Sequence, residues 1–265
     1  MYTLVIATMM LSPVGLEESP VKSTLEMPSG TGFQRDICKH VRSPKTGDVL
    51  DYFLFLRSDP KSGLSISIGV RRSPIDEGTL RRERHPVTSY LNDRRSLPSG
   101  LSIGEEGWTP RSVSGSMQVT ARFQNVFCSV HLNYSGKRVN GKIEFPTHTW
   151  DEDSQLVENV ARRGLSTALL WNLAGIGAST EVQRKALTDN GYSRLGPWMT
   201  SKGFTVTWDG MKRMATFTKG NQTIKLAEGS REGFDGTVRK DHGSLIIGFQ
   251  GELWAKTSPL NSWID

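Results

Sequence analysis

Residues 151 to 173, DEDSQLVENVARRGLSTALLWNL, form the one long stretch of this 265-residue chain that reads as an amphipathic helix. Leu156, Val157, Val160, Ala161, Leu165, Ala168 and Leu169 fall on one broad stripe at helical spacing. Asp151, Glu152 and Asp153 crowd its start, where the helix dipole and the free amides favour carboxylates. A lone apolar stripe has to be buried against something. What precedes it is strand pattern, so the helix predicts a two-layer α+β unit, a mostly antiparallel sheet with the helix laid across it.

The strand signals lie on both sides of turn chemistry. "LDYFLFL" at 50 to 56 suits a strand buried on both faces, and Leu64, Ile66, Ile68 and Val70 alternate with Ser and Gly as in a half-buried one. "RSDPKSG" between them predicts a hairpin. In "SMQVTARFQNVFCSVHLNY" the apolar residues Val119, Ala121 and Phe123 are odd-numbered, whereas Val126, Cys128, Val130 and Leu132 are even-numbered. The change of phase predicts a tight turn or bulge at Gln124-Asn125 between two antiparallel strands. A further strand is expected at "GKIEF". The arginine-rich block at 71 to 95 is interrupted by Asp76, Glu77, Glu83 and Asp93 and reads as a solvated loop with a short helix. "NLAGIGAST" at 172 to 180 has linker composition. It divides the chain into an α+β domain at 20–175 and a second small two-layer domain at 176–265, which opens with a short helix capped at Ser179 or Thr180 and stopped at Asn190-Gly191.

In the second domain, "GFTVTWDGMKRMATFTKGNQTIKLAEGS" reads as a meander of three strands with turns at Asp209-Gly210 and Gly220-Asn221. Together with "FDG" at 234 to 236 and the closing "SLIIGFQGELWAKTSPLNSWI", this stretch resembles the small domain named for the N-terminal domain of copper amine oxidases, over about residues 195–265. Glu252 stands where that family has an arginine after the closing turn glycine. The resemblance implies an accessory stalk-like module of exported bacterial proteins, with neither copper nor amine oxidation. The "NYS" at Asn133 to Ser135 lacks the acid of the oxidase quinone motif, and His40, His85, His131, His148 and His242 show no ligand-pair spacing. In the first domain, "IGEEGW" at 103 to 108, "RFQNVFCSVHL" and "VENVARRGLSTALL" are similar to sensor-like or lipoprotein-like extracytoplasmic domains. Both resemblances imply a secreted, cell-envelope location.

The apolar run in "MYTLVIATMMLSPVGLEESP" fits that location as a signal-peptide remnant at 1–19, the alternative being a first strand of the mature domain. It is shorter than a membrane span, and no other stretch is long enough to anchor the chain. The net charge of +6 is spread evenly, 21 basic against 18 acidic residues in 1–175 and 12 against 9 in 176–265, so no basic face for nucleic acid is expected. Cys38 and Cys128 lack metal-ligand spacing; either they pair in one long-range disulfide or they stand as two buried thiols.

No cofactor or metal is expected, and no nucleophile motif or phosphate loop appears. Glu105 and Glu106 beside Trp108 are the acids with the strongest claim to a ligand site. Trp208 and Trp254 sit in apolar phase and are expected in the core. Trp198 and Trp263, in turn-rich context, are expected at the surface as binding aromatics. The function expected is a non-catalytic envelope binding or structural protein whose partner is a cell-wall polymer or another envelope protein. The alternatives are a cell-wall-directed hydrolase using Glu105 or Glu106, and a self-associating subunit of a surface assembly.

Overall fold

The computed structural model describes residues 17–18, 25, 27, 30–42, 48–59, 61–71, 97–104, 116–140, 142–144 and 150–264. In chain order the elements are β1 (Glu17–Glu18), β2 (Gln34–Arg42), β3 (Val49–Ser58), β4 (Lys61–Val70), β5 (Ser116–Phe123), β6 (Val126–Tyr134), β7 (Lys137–Val139), β8 (Lys142–Glu144) and the helix α1 (Trp150–Ala174). There follow α2 (Thr180–Asp189), β9 (Tyr192–Arg194), α3 (Leu195–Ser201), β10 (Thr205–Asp209), β11 (Met214–Lys219), β12 (Gln222–Ala227), β13 (Glu232–Asp235), β14 (Val238–Asp241), β15 (Ile247–Phe249), β16 (Glu252–Lys256) and a 3-10 turn at Pro259–Trp263. The fold is α+β, with antiparallel sheets and helices packed on them.

The first sheet has the order β1-β2-β3-β4-β6-β5. Its hairpins fall where turn chemistry put them. Ser58 pairs with Lys61 within the stretch read as a turn, and Gln124 adopts φ 53° in the two-residue loop between the paired Phe123 and Val126. The phase change in the sequence is therefore a tight hairpin that keeps both strands' apolar residues on one face. α1 covers that face, and all seven residues of its predicted stripe are buried. Gly164 lets the helix lie directly on β6, because a Cβ there would overlap the Cys128 sulfur. The strand containing "LDYFLFL" departs from expectation. β3 alternates, with Phe53 and Phe55 under the helix and Leu54 and Leu56 on the other face, where no helix is laid among the described residues.

The second sheet is the five-stranded meander β10-β11-β12-β13-β14, and β15-β16-β9 form a third. Ser179 caps α2 by accepting from the Val182 amide at 3.4 Å, and Gly191, at φ 79°, ends it. One apolar core runs from the first sheet through α1 to Leu187, Tyr192, Leu245, Ile247, Phe249 and Trp254, across the linker at 172–180. A second core, with Leu195, Met199, Phe204, Phe217, Leu226 and Trp263, lies between the meander and α3.

Cys38 and Cys128 are free thiols. They lie on β2 and β6 with β3 and β4 between. Three strand spacings amount to about 14 Å, well beyond the Cα separation of about 4.4–6.8 Å that a disulfide accepts. Cys38 is exposed and Cys128 is fully buried, where burial pushes its thiol far up.

Candidate functional site

Glu105, Glu106 and Trp108 lie outside the described residues, as do residues 1–16 and the arginine block from 72 to 95. The aromatic expectations divide. Trp254 is buried as expected. Trp198 is half-buried on α3, with the Lys202 ammonium 6.0 Å from its ring centroid. Trp263 is corrected: only 4% of it is exposed, its ring packed edge-on to His242 and over Gly233, where a Cβ would come within 2.9 Å of it. The 3-10 turn folds it back onto the meander, so the polar residues around it in sequence form the outer skin of a buried anchor. Trp208 is corrected in the opposite sense, being 45% exposed. Its phase is apolar, opposite the buried Ala215, yet its strand is the outermost of the sheet and overhangs the core.

Several ionisable side chains meet inside the molecule, and each group is committed to the framework. The Arg162 guanidinium on α1 is fully buried. Its Nε donates to Glu158 Oε1 at 2.9 Å, Nη1 donates to the Ser102 and Glu228 carbonyls, and Nη2 donates to Ser99 Oγ and the Leu101 carbonyl. Glu158 Oε2 in turn accepts from the Ser99 amide at 3.1 Å. This fork ties α1 to the 97–104 loop and to the meander. Gly229 (φ 70°) closes the joint, since a Cβ there would come within 2.9 Å of the Arg162 backbone. Glu228 pairs with Arg213.

At the other end of α1, Arg57 makes a two-pronged bond to Asp153 (3.1 and 2.9 Å), and Tyr134 also donates to Asp153. That cluster staples the helix start to β3 and β6. The open depression of about 430 Å³ beside it includes Gln34, Arg35, Asp36 and Asp59, but its Arg57 already serves Asp153.

Two histidines have chemistry worth testing. His40 Nδ1 meets the fully buried Asp51 carboxylate, and its ring packs edge-on against Trp171; burial lowers its pKa. The Ser244 Oγ and the Ser244 carbonyl each lie 3.0 Å from His242 Nδ1, and the Lys256 carbonyl lies 2.7 Å from Nε2, so a carbonyl faces each ring nitrogen. A serine beside an oriented imidazole is the start of a nucleophilic pair. Here the two are 6% and 1% exposed, so a substrate has no route to them. Among the described residues no group of three or more His, Cys, Asp or Glu side chains could hold a metal ion, and no helix is long and apolar enough to cross a membrane.

The reachable chemistry is at the edge of the meander. Along β10 the residues Thr205, Val206, Thr207 and Trp208 are all exposed, with Val206 at 40%, and Met211 in the following turn is 65% exposed. Arg213 lies 5.4 Å from the Trp208 ring centroid. α1 fixes that turn, with Asn159 donating to the Gly210 and Met211 carbonyls and Gln155 donating to the Met211 carbonyl.

No family model, no curated protein and no solved structure matches this chain.

Proposed function

We propose that this chain is a non-catalytic protein exported to the bacterial cell envelope, where it binds or scaffolds a cell-wall polymer or another envelope protein. The observation that carries this reading is the use made of its buried ionisable groups. Arg162, Glu158, Glu228, Asp153 and Arg57 serve as joints between secondary-structure elements, their donors and acceptors engaged with one another and with the backbone, including those of Arg57 at the wall of the open depression. Catalysis by such groups needs an acid or base that reaches substrate. The exposed groups are of binding type, an aromatic ring under a guanidinium beside aliphatic side chains and a free strand edge. The resemblance of residues 195–265 to the accessory domain of exported proteins supports the compartment.

The test is co-sedimentation of the purified chain with insoluble cell-wall polymer, with release of soluble wall fragments followed in the same tubes, and cell fractionation alongside. Retention without fragment release, and recovery outside the cytoplasm, are the expected results. Fragment release, or a purely cytoplasmic chain, would overturn the proposal.

A further inference from the structure

We infer that β10 is a self-pairing edge through which two copies of this chain join their meanders into one continuous sheet. Among the described residues β10 has a neighbour on one side alone, β11, so alternate amides and carbonyls of Thr205–Asp209 point away from the sheet. Backbone groups of this kind are obligatory donors and acceptors, and natural edges usually blunt them with proline, inward lysine or a bulge. TVTWD has none of these, and its register with β11 is continuous over five pairs. The strand is also held ready. Asp209 Oδ1 accepts from the Met211 and Lys212 amides at 3.0 Å each, and α1 holds the carbonyls of the same turn. A partner strand therefore meets an edge already in its bound shape.

The pattern of the strand selects the occupant. In an antiparallel pair with a twofold axis at Thr207, Val206 of each copy faces Trp208 of the other, giving two aromatic to β-branched pairs from one short strand. Asp209, at one end of the edge, is paired within its own turn by Lys212 at 3.8 Å, and Lys219 on β11, beside the other end, has its ammonium 5.6 Å from the Phe204 ring centroid, so the pairing direction is set by Val206 and Trp208 and not by charge. At the opposite edge, β14, Arg239 donates to the Gly100 carbonyl and Lys240 pairs with Asp235, so its cations are engaged within the chain.

Sedimentation velocity of the full chain across a concentration series is the first measurement, with the double substitution Val206→Lys and Trp208→Lys beside it. A dimer whose dissociation constant rises at least about tenfold in the lysine variant is expected. Circular dichroism melting shows whether that variant is folded. The second measurement keeps the native surface: Thr207→Cys in a Cys38→Ser background should form a covalent dimer under mild oxidation, because the twofold axis sets residue 207 against its own copy. A chain that is monomeric throughout the series, as it would be if the edge serves a foreign peptide, overturns the inference. So does a dimer that ignores the lysines or fails to cross-link through residue 207. The wall co-sedimentation of the proposed function is read independently of all these results.

Discussion

The two principal sheets are both antiparallel, yet they meet solvent in opposite ways. The six-stranded sheet lies under a 25-residue helix long enough to cover its apolar face, and the helix's polar flank is itself buried by Arg162 and its partners. The five-stranded sheet is covered by a patchwork, the seven-residue α3, β16 and the 3-10 turn at Pro259–Trp263, and its outermost strand leaves Val206 and Trp208 exposed. The difference teaches that charge is carried inside this molecule where, as at Arg162, each nitrogen of the fork finds an acceptor, and that apolar surface is left outside at the outermost strand of the meander.

The largest expected effect comes from breaking the interior. Arg162→Ala strands Glu158 in a buried site and should cost about 3–5 kcal/mol, with Arg162→Met costing less because its volume is kept. Urea denaturation checks both, as a lower midpoint at unchanged slope. Overpacking the helix contact is the next probe. Gly164→Ala should destabilise by about 1–3 kcal/mol, and a compensating Cys128→Ala should recover much of the loss. Non-additivity in that pair is the signature to seek.

A smaller effect is expected from pH. Burial lowers the pKa of both His40 and His131, so their neutral forms are favoured in the folded state. The unfolded chain then binds more protons below about pH 6.5, and the stability these groups contribute is present above that pH and is lost as pH falls through their folded values. Melting temperature should decline between neutral and mildly acidic buffer, and His131→Gln should flatten the decline. The smallest effect belongs to the exposed edge, where Trp208→Lys alone should change stability by no more than about 0.5 kcal/mol. A larger loss would mean that the edge supports the fold and would erase the contrast between the two sheets.

Much of the architecture was legible because local physics repeats along the chain. The slip of phase at Gln124 calls for a turn or a bulge, and the turn is what forms, while the stripe from Leu156 to Leu169 is buried as its spacing requires. Burial of Arg162 was not legible. Glu158 and Arg162 stand four residues apart, which on a helix is the spacing of an ordinary solvated ion pair. Their burial depends on residues about 60 positions before and after, Ser99 to Ser102 and Glu228, arriving at the same flank. The tryptophans erred for a related reason. Neighbouring polar residues misplaced Trp263, and correct alternation misplaced Trp208, because alternation says which face a side chain takes and nothing about whether that face has a cover.

By itself the sequence determined the α+β class, the hairpins, the helix limits and the apolar stripe, since periodicity and turn chemistry act between near neighbours. Only the tertiary structure decided that Cys38 and Cys128 stay apart, that the polar flank of α1 is an internal joint, and that β10 is an open edge among the described residues. Those outcomes depend on strand order and on how far each helix reaches, quantities that no local pattern encodes.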